Sequence, residues 1–140
     1  MTELTQMTAA QASALWSGLM IVLLVVLGIR VAQARRGNKV LLGDGGNSIV
    51  LLATRVFGNA AEYIPVAIGA MVVLTLVGLP AYIIHILGSL LFLGRLIHAA
   101  SLSTQKPTLG RVVGMALTWT PLLTAGAMLI VHAFVGVPQG

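Results

Sequence analysis

Apolar residues fill this chain in four long runs, separated by short polar or turn-forming stretches. The first run carries no charge from Ala12 to Ile29, enough to cross a hydrocarbon core that takes roughly 20 helical residues. The pattern predicts helices over about 9–33, 47–77, 81–102 and 109–135. A polar lead-in from Met1 to Thr8 precedes the first of them. Arg36 to Asn47 reads as a loop, because glycine, Asn and Asp cluster there, and Asp44 or Asn47 is expected to cap the second helix. Gly78-Leu79-Pro80 is a tight, uncharged turn, with Pro80 suited to opening the third helix. Pro65 falls inside the second helix, where a proline removes one backbone bond and membrane proteins tolerate the loss. Ser103 to Thr108 forms the second polar loop. The chain reads as a single all-α domain, an integral membrane four-helix bundle.

Composition supports the membrane reading. Of 140 residues, 58% are hydrophobic and 8% charged, with a mean hydropathy of +1.01. Soluble domains carry about 25% charged residues. The apolar first run is too long for a signal peptide and lacks a basic leader, so it is expected to stay as a membrane helix. Net charge is +5, and the basic residues gather after the first and third runs. By the positive-inside rule, loops 34–46 and 103–108 face the cytoplasm and both termini lie on the opposite side. Aromatics are 5% and do not interleave with the basic residues, which argues against nucleic acid as a partner. The partners expected are membrane lipid and, because so small a chain encloses little space, further copies of itself. There are no cysteines, so disulfides and thiolate metal sites are excluded. Any thiol chemistry must use a thiol carried by the substrate.

Against this background the charges inside the spans stand out. Arg55, Asn59 and Glu62 recur at i, i+4, i+7 and so share roughly 60° of a helix face, which Ser48 and Leu52 extend. Each buried charge costs roughly 2.5–3.5 kcal/mol on insertion scales. Arg55 lies about eight residues, roughly 12 Å, from the cytoplasmic end of its helix. Arg95 enters its own helix to a similar depth from the same side, His98 lies one turn nearer the cytoplasm, and Arg111 sits near the mouth. Arg35 and Arg36 stand at the rim. One carboxylate, Glu62, thus faces several arginines, whose forked donors match carboxylates and phosphates. The stripe is either a self-satisfied ion pair or a site for a small zwitterion with more carboxylates than amines. His85 and His132 lie toward the other side without a carboxylate, which favours interfacial hydrogen bonds over a metal site. His98 orients a ligand or joins two helices. Trp16 and Trp119 read as packing or anchoring residues. Gly110 and Gly114, four apart, permit close helix packing.

Several of these segments together resemble one family. They are Leu42-Gly43-Asp44-Gly45-Gly46-Asn47, Arg55-x-x-x-Asn59-x-x-Glu62-Tyr63-x-Pro65, Gly94-Arg95-x-x-His98-Ala99 and Leu109-Gly110-Arg111-Val112-x-Gly114-Met115. The family is MAPEG, the membrane-associated proteins in eicosanoid and glutathione metabolism, and the likeness is strongest to its small bacterial members. The resemblance covers nearly the whole chain. It implies a homotrimer of four-helix subunits, with glutathione as co-substrate in a cleft between neighbours near the cytosolic side. It implies glutathione contacts from Arg35, Arg55, Asn59, Glu62, Tyr63, Arg95 and His98, with Glu62 facing the ligand's amine. Arg111, sixteen residues after Arg95, matches the spacing of a catalytic arginine that stabilises the glutathione thiolate. A cation beside a thiol favours its charged form. His98 and Leu102 stand where a leukotriene-forming relative has tyrosines, and Val112 replaces a serine of a prostaglandin-forming one. The activity implied is therefore glutathione transfer to hydrophobic electrophiles, or peroxide reduction, with no metal and no eicosanoid substrate specified. Two other readings stand beside it. One is a small proton-coupled multidrug exporter using Glu62, which the surrounding arginines disfavour because they repel cationic drugs. The other is a glutathione-binding membrane protein without turnover.

Overall fold

The computed structural model describes residues 7–104, 106 and 108–135. Residues 1–6, Gln105, Pro107 and 136–140, including Glu3 and most of the polar lead-in, lie outside the described residues. Four helices account for nearly everything else: α1 (Ala9–Gly37), α2 (Ser48–Leu76), α3 (Ala81–Leu102) and α4 (Leu109–Val135). All four are long and apolar enough to cross a membrane, and no strand occurs among the described residues. The protein is all-helical, with the span count read from the sequence.

The termini of the helices follow local chemistry. Thr8 and Gln11 form a reciprocal capping box at the start of α1. α1 runs one turn past the predicted end at Gln33. Arg35 and Arg36 in that last turn favour the negative end of the helix dipole. Termination falls instead at Asn38, whose side-chain amide donates to the Ala34 carbonyl at 2.8 Å, and at Lys39, which takes a positive φ of 54°. Asn47 caps α2 by accepting from the Ile49 and Val50 amides. Asp44, the other expected cap, turns the loop by accepting from the Gly46 amide. Asn47 also donates to Asn38 at 3.0 Å, which ties the two ends of this loop together. Pro65 and Pro121 both lie within continuous helices.

α1 packs along α2 and α3, and α3 packs along α4. The start of α1 meets the end of α2, where the Thr75 hydroxyl reaches the Ala9 carbonyl. Met20, Ile64, Met71, Leu74, Ile84 and Leu91 form the centre of the core. The outside is apolar too: Val22 is 61% and Leu123 74% exposed. Such a surface suits lipid, not water.

The α3–α4 seam is the closest of the packed faces. A Cβ on Gly94 would lie 3.0 Å from the Gly114 carbonyl oxygen, and one on Gly114 would lie 2.7 Å from the His98 amide nitrogen. A Cβ on Gly110 would run into the Ser101 hydroxyl. Small residues here bring two backbones together, as the Gly110–Gly114 spacing predicts. Elsewhere Trp16 fills the space over Gly88 and donates its indole N–H to His85 Nδ1 at 3.1 Å. His132 Nδ1 donates to the Met128 carbonyl one turn back. Both histidines therefore serve helix hydrogen bonding.

Candidate functional site

A cavity of about 700 Å³ opens between α2, α3 and α4, near the ends joined by the α1–α2 and α3–α4 loops. Its α2 wall carries Ser48, Leu52, Arg55, Asn59 and Glu62, the stripe read from the i, i+4, i+7 spacing. His98 and Leu102 come from α3, and Arg111 from the first turn of α4. Gly58 leaves its part of the wall open, since nothing lies within 4 Å of a Cβ there.

Arg55 and Glu62 do not neutralise each other. Both are exposed, and neither makes a side-chain hydrogen bond or ion pair among the described residues. Arg111 donates from one terminal nitrogen to the Thr104 carbonyl at 2.6 Å. Its Nε is buried with no partner, and so is the Thr54 hydroxyl on the same cavity. The wall thus offers free cationic donors from Arg55 and Arg111, an unpaired carboxylate, and two orphaned polar atoms. Unsatisfied groups of this kind in an apolar setting fit an oxygen-rich ligand.

Arg95 behaves differently. It is 2% exposed and does not line the cavity. Its Nε donates to the Thr118 hydroxyl at 3.0 Å, one terminal nitrogen to Asn59 Oδ1 at 2.7 Å, and the other to the Met115 sulfur at 3.4 Å. The Thr118 hydroxyl in turn donates to the Gly114 carbonyl at 2.8 Å. Arg95 therefore clamps α2 to α4 from α3 and holds Asn59 at the cavity wall. Tyr63 lies on the other side of this clamp. Its ring sits 5.0 Å from the Arg95 guanidinium carbon, and its hydroxyl accepts from the Trp119 indole at 3.1 Å.

Of the residues singled out in the sequence, one chain brings Arg55, Asn59, Glu62, His98 and Arg111 to one cavity. Arg95 and Tyr63 support it from behind. Arg35 is elsewhere: it lies on α1, donates to the Leu41 carbonyl at 3.5 Å, and does not line this cavity. Thr54 was not singled out, because a threonine beside an arginine in an apolar run carries no distinctive spacing. A second, mostly apolar cavity of about 360 Å³ lies between α1 and α2, with Arg30, Gln33 and Ser103 among its lining residues. Leu52 borders both cavities. No group of three His, Asp or Glu side chains converges among the described residues.

Fold and site together define a multi-pass membrane protein with an arginine-rich cleft built into one end of its helix bundle. The sequence profile of the MAPEG family matches residues 13–131, and the chain belongs to that family. Curated relatives include the inner membrane protein YecN of Escherichia coli strain K12 and the protein of the same name from Escherichia coli O6:H1 strain CFT073. Each is 38% identical over 111 residues, which covers 79% of this chain and 84% of the relative. No solved structure matches the chain significantly.

Proposed function

We propose that this chain is the subunit of a homotrimeric glutathione transferase of a bacterial inner membrane, which activates the glutathione thiol for attack on hydrophobic electrophiles delivered from the bilayer. The observation that carries this reading is one cavity on which Arg55 and Glu62 make no side-chain bond and Arg111 keeps an unpartnered Nε. Glutathione has two carboxylates, one ammonium group and a thiol. Arg55 takes a carboxylate and Glu62 takes the ammonium group, about two and four helical turns along the same wall from Ser48. Arg111, with a free Nε, stabilises the thiolate. A charged donor beside sulfur raises the thiolate population at neutral pH.

The homotrimer is part of this reading, and the same exposure supports a neighbouring copy. A lone subunit would present Arg55 and Glu62 to lipid, at a cost of a few kcal/mol each. A neighbouring copy covers that face, completes the cleft, and brings its own Arg35 toward the rim. The cleft opens to the cytoplasm, with loops 34–46 and 103–108 on that side and the termini opposite. The relatives' printed name, inner membrane protein, supports the location.

The test is a glutathione thiolate difference spectrum on the detergent-purified protein, with Arg111→Ala beside the wild type. A thiolate band at neutral pH in the wild type, lost in the variant with glutathione still bound, supports the enzyme. Binding without a thiolate in either protein points instead to a glutathione-binding protein without turnover. No binding at all overturns the reading.

A further inference from the structure

Arg111 alters how stable a bound thiolate is, but a guanidinium cannot accept the proton that the thiol must lose. Something else at the cavity has to take it, and few side chains there can. Arg55 is permanently charged, Asn59 is an amide, and the hydroxyls of Ser48 and Thr54 are poor bases at neutral pH. Glu62 and His98 remain.

Glu62 is occupied by the ligand's ammonium group in the reading above, which leaves His98. His98 Nδ1 lies 3.3 Å from the backbone carbonyl oxygen of Arg111. A carbonyl only accepts, so this bond requires the proton on Nδ1. In the neutral ring the other nitrogen, Nε2, then carries a lone pair. The Gly114 backbone presses on the His98 backbone at the same level, since a Cβ there would lie 2.7 Å from its amide nitrogen. The side chain is 7% exposed yet lines the cavity. Arg111, which lines the same cavity, thus also sets, through its carbonyl, the tautomer of the neighbouring imidazole.

We propose that His98 Nε2 is the base that accepts the glutathione thiol proton, an inference that rests on the transferase reading above. The S–H bond breaks, its electron pair stays on sulfur, and an N–H bond forms at Nε2. The imidazolium next gives this proton to water at the open mouth of the cavity. The thiolate is left beside Arg111. The charged groups around the ring are Arg111 on α4, Arg95 on α3, and Arg55 with Glu62 on α2. In this division of labour Arg111 governs how much thiolate exists at equilibrium, and His98 governs how fast it forms.

Stopped-flow absorbance of thiolate formation, after mixing the purified protein with glutathione, reads both quantities. His98→Gln should slow the exponential by about 100-fold, within the usual range for a general base, while the final amplitude stays near the wild-type value. Added imidazole should restore part of the rate in His98→Gln and leave the wild type unchanged. In Glu62→Gln the glutathione concentration for half-saturation should rise, and added imidazole should not speed the reaction. A wild-type rate that rises tenfold per pH unit throughout would mean direct loss of the proton to hydroxide and would overturn the proposal without any variant. So would a His98→Gln protein with full amplitude and an unchanged rate, or a slowed rate that imidazole does not restore. Absence of any thiolate in the wild type removes the transferase reading itself and the role of His98 with it.

Discussion

Two arginines on facing helices, Arg95 and Arg55, occupy similar depths in the bundle and serve opposite ends. Arg95 is buried, with Thr118, Asn59 and Met115 on its nitrogens and the Tyr63 ring beside it. Arg55 is exposed on the cavity wall, with no partner among the described residues. A charge that must sit in an apolar bundle is tolerated when neutral acceptors surround it. A charge left open needs a ligand or a neighbouring subunit. The contrast teaches that an intramembrane arginine is not by itself a binding residue. What decides is whether the fold has already used its donors.

The comparison breaks most visibly at the satisfied arginine. Arg95→Ala orphans Asn59 Oδ1, leaves the Thr118 hydroxyl only its bond to the Gly114 carbonyl, and opens space where three helices meet. Loss of stability is expected at about 3 kcal/mol, since an unpaired polar group costs about 1–3 kcal/mol and the space left by the side chain adds to it. Thermal unfolding in detergent should show a lowered, broader transition. Under the proposed function glutathione affinity should fall as well, because Asn59 loses the contact that holds it at the wall. An unchanged unfolding midpoint would mean that the clamp is not a structural element.

Gly114→Ala tests the seam beside that clamp. The new methyl group would fall 2.7 Å from the backbone nitrogen of His98, and neither backbone can yield without separating α3 from α4. A destabilisation of about 2 kcal/mol is expected, typical of overpacking. Gly126, with nothing within 4 Å of its Cβ position, is the control: Gly126→Ala should be neutral or slightly stabilising by the ordinary helix preference for alanine.

How much of this contrast was visible beforehand differs between the two arginines. The stripe of Arg55, Asn59 and Glu62 was legible, because a 3.6-residue period fixes which positions share a face, whatever the neighbours do. The four spans were legible for the same kind of reason, since length and apolarity alone define them. The fate of Arg95 was not. Its partners Met115 and Thr118 lie 20 and 23 positions away on a different helix, and no local pattern marks a threonine as the acceptor for an arginine. The end of α1 was missed because Arg35 and Arg36 look like interfacial loop residues, whereas their charge is compatible with a last helical turn. Tyr63 neighbours Glu62 in sequence, yet a step of one residue turns it by about 100°, away from the cavity and toward Trp119.

At the unsatisfied arginine the expectation reverses. Arg55→Ala should leave the unfolding midpoint within error, because it removes no contact inside the chain. Under the proposed function it should weaken glutathione binding by about tenfold, or about 1.4 kcal/mol, as expected for one charge-assisted hydrogen bond at an open site. Equilibrium dialysis against labelled glutathione measures it. A variant that unfolds early while binding normally would place Arg55 with Arg95 and dissolve the comparison.

The smallest effect separates the two regions most finely. Tyr63→Phe keeps the ring beside Arg95 and removes only the oxygen that accepts the Trp119 N–H. Trp119 is half-exposed and its indole N–H loses a neutral hydrogen bond, so a cost of about 1 kcal/mol or less follows. The cavity wall should not move, because Asn59 remains held by Arg95, and glutathione affinity should stay at the wild-type value. Trp119 fluorescence in a Trp16→Phe background should shift to shorter wavelength as the polar partner is lost. If affinity fell by tenfold while stability held, Tyr63 would have to reach the ligand directly. Its present bond to Trp119 would then be one that glutathione displaces, and the boundary between supporting and binding residues would run through Tyr63 instead of between it and Glu62.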